Sequence, residues 1–317
     1  MAEQLLDVIV RKRELQGDGV VVLDLTRADG AALPLFDAGA HVDIHIAPGL
    51  VRQYSLCSDP ADASVYRLGV LKDPASRGGS AGVHAHLLEG RQVQISAPRN
   101  LFPLAEGATR SILLGGGIGI TPMIAMAYAL EQRGDAFELH YCGRSRNHSA
   151  FLAELGSAPF ASKVVTHFDD EHGRLDLPAV LGQGRAGVHM YTCGPAGFMD
   201  WVIDGARQQG YAEDHIHKEY FQAEVDASGE GFEVVAARSG KTVQVAEGQS
   251  ILQALTAVGI DIPISCEQGV CGSCLCDVLE GEPDHRDVYL TDDEKAGNDQ
   301  ILVCCSRAKS KKLVLDI

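Results

Sequence analysis

No stretch of this sequence approaches the roughly 18 consecutive apolar residues that a membrane-spanning helix needs, so no spanning segment is expected. Positive charge is scarce as well: 27 Lys and Arg stand against 43 Asp and Glu, a formal net charge of −16. Nucleic acid and anionic membrane both reward a basic face, so neither is expected as a partner. A positively charged protein surface suits the acidity better, although acidity also serves solubility alone. Internal repeats and low-complexity tracts are missing, which argues against repeat and disordered architectures. The amino-terminal residues Met1-Ala2-Glu3-Gln4-Leu5-Leu6-Asp7 carry no basic region followed by an apolar stretch, and the cytoplasm is the expected location.

What is present has the composition of a soluble enzyme. Hydrophobic residues make up 45% and charged residues 22% of 317 positions, enough for two or three domains with sizeable cores. Residues 5–103 set short β-type runs, at 8–10, 19–25, 41–46, 66–71 and 93–95, between Gly, Pro and Asp turns, with one helix expected at 83–88. Such spacing predicts a small antiparallel β-barrel. From Arg110 to about Glu219, β-rich runs at 111–114, 137–141, 164–167 and 188–192 alternate with helical patterns at 122–133, 150–155 and 197–209. That rhythm predicts an α/β parallel sheet. Residues 222–231 are small and polar, as a linker is, and a third, α+β domain opens near Phe232 with strands at 232–237 and 241–245 and a helix at 250–258. The predicted organisation is multi-domain, with boundaries at 1–104, 105–224 and 232–317.

Nine cysteines, an odd number, do not suit a secreted disulfide framework. Cys266, Cys271 and Cys274 form C-x4-C-x2-C, and Cys304 follows after 29 intervening residues. This is the plant-type spacing of a [2Fe-2S] cluster held by four thiolates, whereas structural zinc, the alternative, usually shows paired C-x2-C halves. Gly269 and Gly272 let the backbone wrap the cluster so that its amides face sulfur. Cys304, at the end of the apolar run Ile301-Leu302-Val303, is the expected fourth ligand; the adjacent Cys305 is the alternative, and Cys276 reads as core.

Two groups of residues suggest a flavin. Arg52-Gln53-Tyr54-Ser55 starts a barrel strand in the form R-x-Y-S, with Arg52 and Tyr54 on one face. A guanidinium grips phosphate, a phenol ring lies on a flat heterocycle, and a hydroxyl reaches a ring nitrogen. Arg77-Gly78-Gly79-Ser80 precedes the expected helix and would cradle phosphate with its amides. Between the motifs, Val70-Leu71-Lys72 ends a strand that would line the ring or its side chain.

Two further turns suggest a nicotinamide. Ile112-Leu113-Leu114-Gly115-Gly116-Gly117-Ile118-Gly119-Ile120-Thr121-Pro122 reads as buried strand, glycine turn and helix, with Pro122 in the first helical turn and Thr121 placed to cap it and touch cofactor. Tyr191-Thr192-Cys193-Gly194-Pro195-Ala196-Gly197-Phe198-Met199 repeats strand, turn and helix. Both turns fall at carboxyl ends of parallel strands, where such sheets bind ligands. Cys193 is either a small core thiol or a sulfur packed near the nicotinamide C4. Asp169 and Asp170 would repel a 2′-phosphate, whereas Arg144 and Arg146 would attract one.

With these motifs in this order, the full chain resembles the phthalate dioxygenase reductase family, which includes the reductases of vanillate O-demethylase systems. The resemblance implies FMN, NADH and a carboxyl-terminal β-grasp ferredoxin domain, with electrons leaving for a Rieske-type terminal oxygenase. It implies that Arg52, Tyr54 and Ser55 hold flavin phosphate and ring, that Gly79 and Ser80 hold the phosphate, and that Thr121 lies at the cofactor interface. Ser55, Thr121 and Cys193 would then flank the reacting rings. Lys218-Glu219-Tyr220-Phe221 matches the end of that family's nicotinamide domain, which brings Glu219 and Phe221 to the flavin. A monomer is expected. The acidic run from Asp284 to Glu294 would either steer a basic partner or begin a solvated helix. Alternatives are a related reductase carrying FAD and a redox-sensing module.

Overall fold

The computed structural model describes residues 5–317, and Met1 to Gln4, part of the segment read above for a targeting signal, lie outside the described residues. The chain divides into two compact units, Met1–Phe221 and Gln222–Ile317. No helix among the described residues is long and apolar enough to cross a membrane.

The first unit begins with an antiparallel sheet of β1 (Leu5–Gln16), β2 (Val20–Arg27), β3 (Ala40–Ala47), β4 (Leu50–Ser55), β5 (Tyr66–Leu71) and β6 (Gln92–Ser96), in spatial order β4-β3-β6-β1-β2-β5, with the short β7 (Arg99–Asn100) beside β3. The start of β1 alternates by twos, with Leu6, Val8 and Val10 buried and Leu5 and Asp7 exposed, because one face meets the core. Just past β4, Leu56 bridges Leu68 of β5 in antiparallel sense, which joins the two ends of the strand order and closes the sheet as a barrel. The helix α1 (Gly79–His86) packs on β3 and β5, where His84 Nε2 lies 2.9 Å from the Val70 carbonyl.

The same unit continues with a parallel sheet of β8 (Arg110–Gly116), β9 (Phe137–Gly143), β10 (Val164–Phe168), β11 (Val188–Cys193) and β12 (Ile216–Glu219), ordered β10-β9-β8-β11-β12. Central β8 is buried along almost its whole length, as a strand covered on both faces must be. The helices are α2 (Ile120–Arg133), α3 (Leu152–Ser157), α4 (Asp169–His172), α5 (Leu177–Leu181) and α6 (Ala196–Gln208). Nine expected strands and four expected helices of this unit overlap observed elements; boundaries shift by a few residues where sheet pairing or capping carries an element on.

Barrel and parallel sheet share one continuous core, running from Leu6 and Val22 through Leu68 to Met123, Tyr141 and Tyr191. The junction is tight at Gly69 of β5: a Cβ there would fall 2.6 Å from the Phe151 ring and 3.0 Å from the Thr121 methyl. Arg67 beside it donates to Asp24 at 2.6 and 2.8 Å and reaches Glu154 of α3 at 3.0 Å, an ion-pair network across the same seam.

The second unit has β13 (Phe232–Ala236), β14 (Lys241–Val245), β15 (Leu275–Glu280), β16 (Pro283–Asp284), β17 (Gln300–Leu302), β18 (Arg307–Ala308) and β19 (Lys312–Leu315), with helices α7 (Ile251–Ala257) and α8 (Asp292–Gly297). Its main sheet runs β14-β13-β19-β15-β17, in which a β13–β14 hairpin lies beside the parallel β13–β19 pair. The helix α7 starts at a capping box, Ser250 with Gln253, and buries Ile251, Leu252, Ala254 and Leu255.

A Gly69→Ala substitution is expected to destabilise the first unit by about 1–3 kcal/mol, because Phe151 and Thr121 must yield to the added methyl. Denaturant unfolding checks this, with a midpoint lower than that of the unsubstituted protein.

Candidate flavin, nicotinamide and cluster sites

In the barrel, the two flavin motifs come together. The Arg52 side chain lies over Gly79, where a Cβ would sit 2.6 Å from its Cγ, and its guanidinium donates to the Arg77 carbonyl at 3.3 Å and the Val51 carbonyl at 2.7 Å. The helix begins at Gly79, capped by Gly78 in the left-handed region at φ 90°. Gly79 and Ser80 are therefore the first helical turn, a correction to the expectation that they precede a helix at 83–88. The glycines extend the helix back by four residues because no Cβ obstructs the close pass of Arg52. Ser80 Oγ accepts the Asp73 amide at 3.0 Å and keeps its own proton for a ligand. A guanidinium and a helix amino end side by side suit a phosphate. Tyr54 is half-buried, and burial raises its phenol. Gln53 carries a buried side-chain Nε2 without a hydrogen-bond partner, the kind of orphan donor that a bound ligand satisfies. Of the strand between the motifs, Val70 is buried while Leu71 and Lys72 are exposed.

The carboxyl ends of three parallel strands meet at one point. Pairing sets Gly115 beside Cys193 and Cys193 beside Glu219. Ser55 of the barrel, 164 residues away in sequence, donates to Glu219 Oε2 at 3.3 Å. Glu219 as a residue is half-buried, but its carboxyl end is enclosed; loss of solvation pushes its pKa up to about 8 against the opposing Ser55 bond. Burial, then the Glu219 charge, pushes the Cys193 thiol well above its ordinary range, so it is a neutral sulfur and not a nucleophile.

Glycine packs these turns together. A Cβ on Gly119 would lie 2.2 Å from the Cys193 carbonyl oxygen, and one on Gly116 or Gly194 would strike the Phe198 ring at 2.7 or 2.8 Å. Gly117 alone among them takes a left-handed φ, 55°, with open space around it. Most of the glycine signature thus serves backbone apposition. The helix α2 opens at Ile120 after Gly119, and Pro122 is in its first turn as expected. Thr121 does not cap it, which corrects the sequence reading: it stands inside the first turn and donates to the Ile118 carbonyl at 3.0 Å, and its methyl faces Gly69. Pro195, just before α6, is extended and completes the second turn. Phe198 was missed; an aromatic residue three positions after Gly-Pro at a helix start was its signal.

Around the expected ribose site one of the two cations is already paired. Arg146 donates both to Glu171, at 2.5 and 3.1 Å, and covers the Phe168 ring; the Arg144 carbonyl accepts the Asp170 amide. Phe221 packs against the first unit's core.

In the second unit Cys266, Cys271, Cys274 and Cys304 are all buried. The Cys266 thiol lies beside those of Cys271 and Cys304, and Cys304 beside Cys274 and Cys305. Backbone amides of Gln268 and Ser273 point at Cys266 and Cys271 sulfur, at 3.3 and 3.5 Å. Gly269 and Gly272 both take φ 72°, and a Cβ would strike Cys305 Sγ at 2.5 Å or the Tyr289 ring at 2.3 Å. Four facing sulfurs with amides turned toward them fit an iron–sulfur cluster. Asp287 supports the loop: it is buried and accepts the amides of Tyr289 and Leu290 at 3.2 and 2.8 Å. Cys276 is core in β15, as expected. The acidic run is not one surface, because Asp284 pairs with Arg286, Asp287 is buried, and Thr291 with Glu294 forms a capping box on α8.

These features define an oxidoreductase that joins a flavin barrel and a nicotinamide sheet to a plant-type ferredoxin unit. Residues 234–309 match the 2Fe-2S iron-sulfur cluster binding domain family. The chain is 51% identical over 99% of its length to a vanillate O-demethylase oxidoreductase from a Pseudomonas species, covering 100% of that protein. It is 43% identical over 92% of its length to the carnitine monooxygenase reductase subunit of Acinetobacter baumannii, covering 91% of it. The solved phthalate dioxygenase reductase, described as a modular structure for electron transfer from pyridine nucleotides to [2Fe-2S], superposes with TM-score 0.76 at 38% identity, over 99% of this chain and 98% of that one. The chain belongs to the phthalate dioxygenase reductase family. It is an electron-transfer reductase that uses a flavin, NAD(H) and a [2Fe-2S] cluster.

Glu219 is expected to make stability fall with rising pH. Its folded pKa exceeds its unfolded one, so the contribution is full below about 4.5 and is lost as pH rises through about 8. In flavin-free protein, the stability advantage over Glu219→Gln should shrink between those limits, measured by denaturant unfolding across pH.

Proposed function

We propose that this chain is the NADH-dependent reductase component of a Rieske-type oxygenase system, acting as a cytoplasmic monomer with FMN as its flavin. The functional division is 1–104 for FMN, 105–224 for NADH and 232–317 for the cluster. The Ser55–Glu219 bond carries the reading, because it joins the barrel motif to the carboxyl ends of the nicotinamide sheet. A flavin held there by the barrel motif would supply the conversion between two-electron and one-electron chemistry that neither nicotinamide nor an iron–sulfur cluster provides alone.

The chain's own residues bind and orient. Arg52 and Arg77, with Gly78, Gly79 and Ser80, hold the FMN phosphate, while Gln53, Tyr54, Ser55 and the strand end Val70, Leu71 and Lys72 line the ring system. Gly115, Gly116, Gly117, Gly119, Thr121 and Pro122 on one turn, with Cys193, Gly194 and Pro195 on the other, bound the nicotinamide. Cys193 supplies an uncharged sulfur, and Glu219 holds a proton at neutral pH beside Ser55. Phe221 closes the flavin side. Cys266, Cys271, Cys274 and Cys304 are the ligands; Cys304 is favoured over Cys305 because it lies beside both Cys266 and Cys274. NADH is favoured over NADPH because Glu171 occupies Arg146.

Cys271→Ser is expected to abolish NADH-driven electron delivery to an oxygenase component or cytochrome c while NADH still bleaches the flavin. Full one-electron activity without a cluster would overturn the order of transfer. Glu171→Ala should lower the KM for NADPH several-fold by releasing Arg146, with kcat for NADH little changed. Acid release of the flavin and mass analysis should give FMN.

A further inference from the structure

The polar segment 222–231 reads as a linker, yet its second half is built into the ferredoxin unit by two arginines. Arg286 donates through Nη1 to the carbonyls of Asp226 at 2.6 Å and Ser228 at 2.7 Å, while Nε and Nη2 grip the Asp284 carboxylate at 2.8 and 2.6 Å. Arg307 is buried to 2% exposure and donates to the carbonyls of Gly229, Glu230, Ala246 and Gln249, at 3.3, 3.0, 3.3 and 2.5 Å. Its guanidinium also lies 5.1 Å from the centre of the Phe232 ring. Gly229 takes φ 124° between the two cations, and the Gly248 amide donates to the Ala227 carbonyl at 3.2 Å.

A guanidinium presents its donors in a rigid plane, so one side chain holds two successive turns of backbone that no lysine would hold together. Arg307 is the most demanding case: a buried cation persists only where its protons are met, and the carbonyls that meet them come from the connecting segment and from the loop before α7. Pulling the segment away would strand that charge.

We propose that Arg286 and Arg307 are positioning residues for electron delivery to the cluster, because they pin residues 226–230 to the ferredoxin unit and leave at most the four residues 222–225 as the tether between the units. The proposal rests on the reading that electrons pass from flavin to cluster within one chain. Tether length sets how often two tethered bodies meet, since effective concentration falls roughly as the −3/2 power of length. Release of Arg286 leaves residues 226–228 held by the single Gly248-to-Ala227 bond, and as that bond opens the tether extends through Ser228, from four residues to seven, which lowers the encounter frequency by up to about twofold.

The test uses the full-length holoprotein in three forms: unsubstituted, Arg286→Ala, and one with Gly-Ser-Gly inserted between Val225 and Asp226 with both arginines intact. Stopped-flow absorbance after mixing with NADH reads flavin reduction and cluster reduction separately, redox titration reads the cluster potential, and a glutamate- and aspartate-specific protease reads access to Asp226. Arg286→Ala should speed cleavage after Asp226 and slow cluster reduction by up to about twofold, at most matching the insertion, with flavin reduction and cluster potential unchanged. Unchanged cleavage in Arg286→Ala, or unaltered cluster reduction in both altered forms, would overturn the proposal. A cluster that never accepts electrons from the reduced flavin in the unsubstituted protein would sink the functional reading instead, and the cleavage comparison would still decide whether the clamp exists.

Discussion

Bare backbone makes close approaches possible in the first unit. Gly119 lies so near the Cys193 carbonyl that a methyl group would stand 2.2 Å from it, and Gly69 would meet the Phe151 ring at 2.6 Å. The Gly119 contact locks two turns of the parallel sheet together and the Gly69 contact lies between barrel and sheet, which share one core, and the chemistry depends on that sharing. Only with the two sheets so close can Ser55 of one donate to Glu219 of the other. A carboxyl enclosed in this way keeps its proton at neutral pH, and the thiol beside it stays neutral too. The site offers two uncharged groups to ligands that carry their own reactivity.

The second unit obeys a related constraint at smaller scale. Its cysteine loop closes because Gly269 and Gly272 accept a left-handed backbone against Cys305 and Tyr289, so that amides turn toward sulfur. Asp287 then ties the following segment down from the protein side. Backbone carbonyls dominate the other specialised feature, the pair of arginines that gathers residues 226–230. In both places side chains act chiefly by satisfying main-chain groups, which is where most side-chain hydrogen bonds in proteins go.

Much of this was legible in the linear text, and the reasons are local. Short β-type runs between Gly, Pro and Asp turns marked the barrel strands, an alternation of strand and helix marked β8 to α6, and a C-x4-C-x2-C run marked the cluster loop. Tyr66 to Leu71 and Lys241 to Val245 were placed to the residue because turn residues bound them on both sides. Misreadings occurred where a residue's role depends on something distant. Thr121 looked like a cap, but its methyl is wanted against Gly69, and the helix starts at Ile120, two residues earlier than expected. Gly79 and Ser80 read as preceding a helix at 83–88, but they form its first turn, where the absence of a Cβ on Gly79 leaves room for Arg52. The run from Asp284 to Glu294 read either as a surface for a basic partner or as a solvated helix start; the capping box at Thr291 gives the helix start at its end, while an arginine and burial take up Asp284 and Asp287.

The sequence by itself determined the chemistry on offer: four sulfurs at plant-type spacing, two motifs suited to a flavin and two glycine turns suited to a nicotinamide, each carried by residues a short distance apart in the chain. Tertiary structure alone decided which of these meet and in what state of charge. Ser55 finds Glu219 across 164 residues, Arg146 is claimed by Glu171, and a segment that reads as a loose linker is held through its carbonyls by Arg286 and Arg307. The physical reason is that local pattern reports backbone preference and side-chain chemistry, whereas desolvation and ion pairing arise only between groups that folding brings together.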